Sequence, residues 1–403
     1  MIFNRKKTKS SKGLDTFLAV DIGTEFLKVA LCANGEDGID VVGYTRLKQN
    51  QSSMYAAFIV DVEDVTEQID KAIGEVIHKS QELFGDEYGI PKEAIIGIAG
   101  ELVSGISMVV NLDREKPKVK ITSAEIAKII ENVKKQTFDK AKEEIAEELA
   151  VSPKQLVEIE TFLNSAYIDG TRVVDPVGYA GEELSYRVFT TFAPGVHLDS
   201  LNQVADKINL KVNGIIVEPY AVAMSLRSLR SSDAGGIIID VGGGTTDVAI
   251  IKSGDVIGTK MFAIGGRVFT KRIQNGLGVD YETAEKAKLD YSDNRLMEQE
   301  RMEIKRLIEK DIGIWAEGLE ITLSDFQDVG EYPYNIYLCG GGALLPEIQE
   351  AIISYPWMKY LNFKKHPKVN FIFPNGVDGV TDRTKSATLP IDVAVLALAR
   401  MYK

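Results

Sequence analysis

Two stretches far apart in the chain share one pattern of apolar and polar positions. Phe17 to Cys32 holds two short apolar runs, FLAVD and FLKVALC, joined by Ile22-Gly23-Thr24-Glu25. Runs of this length around a glycine turn predict a β-hairpin. Gly236 to Lys252 repeats the plan, with the strand IIID, the turn Val241-Gly242-Gly243-Gly244-Thr245-Thr246 and the returning strand DVAIIK. The separation is far longer than the roughly 20 to 50 residues of a solenoid repeat. It predicts two related lobes, each with its own glycine-bearing turn. Between them Val65 to Phe84 has helical spacing and ends in a Gly-Asp-Glu-Tyr-Gly-Ile-Pro turn, before the strand candidate Ala94 to Ala99. That is α/β layering.

From about Gly97 to Arg187 the texture changes. Thr122 and Glu125 form a capping-box pair that opens a helix with Ile126, Ile129, Ile130 and Val133 on one face, and the charged stretch Phe138 to Leu149 follows or continues it. Around it lie the β-type segments Ile106 to Val110, Leu156 to Ala166 and Leu184 to Thr190, with turns at Asp169-Gly170 and Asp175-Pro176-Val177-Gly178. This reads as a small α+β domain inserted in the first lobe.

Beyond it come a helix over Leu198 to Leu210, a strand Val212 to Val217 and a helix Ala221 to Leu229. After the second hairpin, Gly265-Gly266 leads into a helix Val268 to Gln274, and Gly276-Leu277-Gly278 precedes another from Tyr281 into Lys288. Ile308, Ile312, Trp315, Leu319 and Leu323 then recur at three or four residues, a core stripe. The strand Asn335 to Cys339, the run Gly340-Gly341-Gly342-Ala343 and a helix Pro346 to Ile353 follow. An amphipathic helix from Leu389 to Met401 is expected to return to the first lobe. The expected division is a tail over 1–14, a first lobe over 15–96, 187–216 and 376–403, an insertion over 97–186, and a second lobe over 217–375 whose helical subdomain covers about 263–333.

At 403 residues and 45% hydrophobic content the chain is long enough for two or three cored domains. Its 47 basic against 59 acidic residues leave a net charge of -12, which argues against a nucleic-acid partner. Cys32 and Cys339 each sit in a strand run, so no disulfide framework is expected and a reducing cytoplasm fits. No signal peptide and no run of the roughly 18 to 20 apolar residues of a membrane span is present. Met1 to Lys12 departs from the acidic background, with Arg5, Lys6, Lys7, Lys9 and Lys12 behind Ile2 and Phe3. A solubilising tail and a weak anchor on anionic lipid both fit it.

The turns carry the candidate chemistry. Backbone N–H groups hold phosphate oxygens best where glycine brings the backbone close, which Gly23 and Gly242, Gly243 and Gly244 allow. Asp21 and Asp240 end the strands before the turns, where carboxylates can hold a hydrated Mg²⁺ that bridges phosphates. Thr24, Thr245 and Thr246 add hydroxyls. Lys28 ranks below the turn residues, because on a strand it can simply face solvent. The strand–glycine–helix element at Gly340, Gly341, Gly342 and Ala343 lets a flat base and sugar approach. His78, His197 and His366 have no spacing that suggests a metal site or dyad.

Here the motifs reach a family. DIGTEFLKVAL, IIIDVGGGTTDVAI and YLCGGGALLPEI resemble, in order, the two phosphate motifs and the adenosine motif of actin, sugar kinases and DnaK-type chaperones. Within that superfamily, IETFLNSAYIDGTRVVDPVGYAGEELSYRVF and AIGGRVFTKRIQNGLGVDYETAEKAKLDY resemble FtsA, the bacterial actin homologue of cell division. The resemblance implies a two-lobed actin-like (ribonuclease H-like) α/β fold with an SHS2-type insertion, binding ATP and Mg²⁺. By that likeness Gly265, Gly266, Glu285 and Lys288 join the nucleotide site. Glu218, in Val-Glu-Pro-Tyr-Ala, would orient water at the γ-phosphate with at most slow hydrolysis, or would be a helix N-terminal acid held by the dipole.

FtsA-like behaviour further implies self-association into filaments, capture of the FtsZ C-terminal tail on the second lobe, and a cytoplasmic protein lying peripherally on the membrane. FtsA usually ends in a linker and a membrane-binding amphipathic helix, and no such tail follows Leu389 to Met401 in this sequence, so the expectation is that the chain is truncated, that attachment passes to a partner, or that the basic Met1 to Lys12 segment takes over. A PilM-like protein of type IV pilus assembly is the alternative, and a small-molecule kinase of the same superfamily a second.

Overall fold

The structure, a computed structural model, describes residues 14–402 apart from 56, 100–102, 149–150, 174, 227–228, 230–234 and 327–328. The basic segment Met1 to Lys12 lies outside the described residues.

The first hairpin forms as its pattern predicts: β1 (Thr16–Ile22) pairs antiparallel with β2 (Phe26–Asn34), which pairs with β3 (Ile39–Lys48). A two-stranded ribbon, β4 (Met54–Tyr55) and β5 (Phe58–Ile59), leads to helix α1 (Val62–Phe84). Asp61 caps α1 by accepting from the Asp64 N–H, Val65, Ile69, Ala72 and Val76 form its buried face, and Gly85 ends it at φ 63°. Then β6 (Glu93–Ile98) lies parallel to β1.

The inserted segment contains β7 (Ser104–Asp113), helix α2 (Ser123–Glu148), β8 (Leu156–Ile168), β9 (Thr171–Val173) and β10 (Glu183–Pro194). Its cap is half of the expected box. Thr122 accepts from the Glu125 N–H, but the Glu125 carboxylate is held by Arg114 at 2.9 Å instead of returning to Thr122. Ile126 and Ile129 pack on Leu184, Tyr186 and Val188, a core separate from those of the lobes.

Helix α3 (Gly195–Lys207), β11 (Lys211–Val217) and α4 (Glu218–Ser225) return the chain to the first lobe. The second lobe follows with β12 (Gly236–Val241), β13 (Thr246–Lys252), β14 (Asp255–Phe262), helices α5 (Gly266–Leu277), α6 (Tyr281–Ser292) and α7 (Glu298–Ser324), β15 (Asn335–Cys339), α8 (Pro346–Ser354), α9 (Trp357–Tyr360) and β16 (Lys368–Phe371). The five-residue stripe from Ile308 to Leu323 is core. Strand β17 (Val380–Asp382) and helix α10 (Val393–Met401) close the first lobe.

A six-stranded sheet in the order β11-β6-β1-β2-β3-β17 makes the first lobe, and a nine-stranded sheet in the order β16-β15-β12-β13-β14-β7-β10-β8-β9 joins the second lobe to the insertion. Both faces of β1 are buried, beneath α1 packed on β2 and β3 and beneath α10 packed on β1 and β6. Helix α10 is therefore not amphipathic as expected. Val393 to Ala399 are all buried, because the helix is wedged between the sheet and α4. Among the described residues no helix is long and apolar enough to cross a membrane.

Candidate nucleotide-binding site

The register of the first hairpin sets Asp21 opposite Lys28, so both side chains leave one face of the sheet. They meet: Lys28 Nζ stands 2.5 Å from Asp21 Oδ2, with both groups buried. The second hairpin repeats the geometry with Asp240 opposite Asp247, and its turn closes through a 2.9 Å bond from the Gly242 N–H to the Thr245 carbonyl.

The two turns touch each other. A Cβ on Gly243 would lie 2.7 Å from Glu25 Cβ, and one on Gly244 would lie 2.9 Å from Thr24 Oγ1. Only glycine permits that approach. Between and beneath the turns is a cavity of about 210 Å³, whose walls include Gly23, Thr24, Lys28, Gly242, Gly243 and Thr245 from the hairpins.

Glu218 reaches its floor as the first residue of α4. Gly97 on β6 makes room for it, since a Cβ there would sit 2.3 Å from Glu218 Oε1. Two residues on, the Tyr220 ring is clamped between Phe162 at 4.3 Å and Phe189 at 4.6 Å, and its hydroxyl donates to Asn164. The insertion thus fixes the helix that carries Glu218.

Three carboxylates and one ammonium share the floor. Desolvation, then the neighbouring Asp21 charge, push Glu218 well above the usual carboxylate range against the pull of Lys28. Desolvation likewise raises Asp240 to about 6, opposed by Lys28. For Lys28, desolvation lowers the ammonium, but Asp21, Glu218 and Asp240 together outweigh it and leave it above its ordinary value. Lys28 is therefore no solvent-facing strand residue: it is the cation around which the acids are arranged.

No group of three or more His, Cys, Asp or Glu forms a direct metal cage among the described residues. The donors fit a different kind of cation. Mg²⁺ keeps several waters and takes one or two carboxylates together with phosphate oxygens, and Asp21 Oδ1 is buried with no hydrogen-bond partner. Asp21 and Asp240 would hold such an ion, which when bound would neutralise phosphate charge.

The second-lobe wall is built from α5, α6 and the loop after β15. Gly266, Glu285, Lys288, Gly341 and Gly342 line it together with the apolar Leu289, Leu344 and Ile391, a surface that suits a flat heteroaromatic ring. Lys288 Nζ pairs with Glu285 Oε2 at 2.8 Å and donates to Thr270 Oγ1 at 2.8 Å and the Gly266 carbonyl at 3.2 Å.

Other expected residues support the site without lining it. The Thr246 hydroxyl donates to the Ile264 carbonyl and accepts from the Trp315 indole, so it faces the second-lobe core. Ala343 is buried in that core. Gly340, at φ 83°, lets the end of β15 abut β12, since a Cβ would come 2.2 Å from Asp240 Oδ1. Gly265 caps α5 against the carbonyls of Gly242 and Gly243. Conversely Glu25, Arg46, Asp247 and Arg267 line the cavity without having been singled out. The sequence carried a signal for three of them: Glu25 ends the first turn, Asp247 ends the run Gly-Gly-Gly-Thr-Thr-Asp, and Arg267 follows the Gly265-Gly266 pair directly.

Comparison with known proteins agrees with this architecture. Residues 237–382 match the FtsA family, described as Cell division protein FtsA. Among individual sequences, Cell division protein FtsA of Bacillus subtilis (strain 168) is 22% identical over 83% of this chain and 75% of its own length. Cell division protein FtsA of Streptococcus pneumoniae serotype 2 is 24% identical over 83% and 72%. Among solved structures, a PilM-PilN type IV pilus biogenesis complex superposes with a TM-score of 0.65 at 15% identity, covering 96% of this chain and 99% of that one. The ethanolamine utilization protein EutJ from Carboxydothermus hydrogenoformans gives 0.50 at 15% identity, over 96% and 90%. With two α/β lobes whose glycine turns meet across one cavity, the chain has an actin-like fold and is similar in sequence to the FtsA cell-division proteins.

Proposed function

We propose that this chain is an actin-like protein of bacterial cell division that binds ATP with Mg²⁺ between its lobes, self-associates, and links FtsZ filaments to the cytoplasmic membrane. The observation that carries the reading is the pair of glycine turns in contact across one cleft, over a floor of Asp21, Lys28, Glu218 and Asp240. Backbone N–H groups from both lobes can then grip one polyphosphate, so nucleotide binding energy closes the cleft and orders surfaces for assembly. Division, rather than turnover of a metabolite, is supported by the FtsA relatives, which match over most of the chain. Glu218 is the residue to orient water at a terminal phosphate. Its place on the cavity floor beneath the two turns is what supports that role.

The test is fluorescence anisotropy of a labelled FtsZ C-terminal tail peptide from the same organism, titrated with the protein in ATP and Mg²⁺. Saturable binding is expected. Absence of binding, with ATP binding intact, would overturn the division role and favour a PilM-like role in pilus assembly.

A further inference from the structure

Arg267, the second residue of α5, reaches across the cleft and binds the first-lobe turn. Its Nε lies 2.6 Å from Glu25 Oε2, its Nη2 donates to the Thr24 carbonyl at 2.6 Å, and its Nη1 to the Met54 carbonyl at 3.5 Å. Glu25 also accepts from the Tyr281 hydroxyl at 3.3 Å, and Lys48 stands 4.0 Å from it while pairing with Glu282 of α6. The Arg267 and Glu25 side chains are only 15% and 9% exposed. Solvent therefore screens this pair less than a surface ion pair.

A glutamate in a phosphate turn is a liability, because its charge would repel a polyphosphate. Arg267 neutralises it, and in doing so ties the first-lobe turn to the helix that follows the second. Both residues line the cavity. We propose that Glu25 and Arg267 are positioning residues of the nucleotide site: their ion pair holds the two turns in register and must open whenever a nucleoside triphosphate enters or leaves. The inference rests on the nucleotide reading of the cleft. It assigns the pair to exchange rate, with affinity left to the backbone turns, Lys28 and the carboxylates.

Stopped-flow kinetics with a fluorescent ATP analogue and Mg²⁺ test it. Glu25→Gln/Arg267→Gln removes both charges together, and is expected to raise the association and dissociation rates alike by about tenfold while Kd stays within about twofold, the effect of losing one partly buried pair. Arg267→Gln alone leaves the Glu25 carboxylate beside the phosphates with only the Tyr281 hydroxyl and the more distant Lys48 to offset it, and should weaken binding, whereas Glu25→Gln alone should not. The exchanged pair Glu25→Arg/Arg267→Glu should restore slow exchange, and doing so would show that the faster variants are folded. Exchange at the wild-type rate in the double glutamine variant would overturn the proposal. So would a tenfold rise in dissociation with association unchanged, which would make Arg267 a phosphate ligand. If the wild-type protein bound no analogue at all, the nucleotide reading itself would fall, a distinct result.

Discussion

At the scale of single residues the central object is the Lys28 ammonium, held among Asp21, Glu218 and Asp240. Burying several like charges around one cation makes that cation hard to remove. Lys28→Met is expected to lower stability by roughly 3 kcal/mol, the range for breaking a buried pair and stranding its partner, read as a lower urea midpoint. His197 offers a pH test. Burial, against a helping bond from the Ala57 backbone, lowers its pKa from 6.5 to about 4. On acidification the unfolded chain therefore takes the proton first. Stability is complete above pH 6.5 and falls between 6.5 and 4 by up to about 3 kcal/mol. His197→Leu should flatten that part of the pH profile in urea titrations, and an unchanged slope would show that other groups set it.

The turn glycines and the two aspartates were legible from the chain, because a glycine run after a strand-end acid has few structural uses. Lys28 was ranked too low. Whether a strand residue faces solvent depends on what stands over its face, and here Glu218 and Asp240, which enclose Lys28, lie far along the sequence. The Glu25–Arg267 pair joins positions 242 apart, and no local pattern announces such a contact.

At the scale of elements, the approach of the two turns depends on a missing Cβ. Gly243→Ala would push against Glu25 Cβ at 2.7 Å, in the space between the lobes and outside either core. Each lobe should keep its fold, so the expected result is an unchanged circular dichroism spectrum with at least tenfold weaker ATP binding in calorimetry, the scale of misplacing a preorganised site. Undiminished affinity would mean that the turns separate without cost. Thr245 and Thr246 differ in role because β13 begins between them: Thr245 ends the turn and lines the cleft, while Thr246 opens the strand and meets the Trp315 indole. The composition of TT hides this, but the start of β13 decides it. Long-range packing likewise decided what periodicity left open. Helix α2 runs unbroken through 138–148, and α10 is buried on every side where its sequence suggested two faces.

At the scale of the whole molecule, the insertion belongs to the first lobe by covalent connection and to the second by hydrogen bonding. It leaves the first lobe after β6 and re-enters through α3, yet β7 extends the second-lobe sheet. The join to β14 consists of Gly258 with Ile106 and Thr259 with Gly105. The insertion is thus a tie-bar with one end anchored on each side of the cleft, and a rotation that parts the lobes loads its weakest fastening, those two residue pairs. Amide hydrogen exchange at 105–106 and 258–259 is expected to slow on adding ATP and Mg²⁺, while the fully paired centre of β10 stays constant. Equal protection with and without nucleotide would mean that the lobes do not move about this seam. In mechanical terms the molecule carries its own strain gauge. A rotation of one lobe against the other would tilt the insertion with it, and a partner bound there would sense that rotation without touching the cleft.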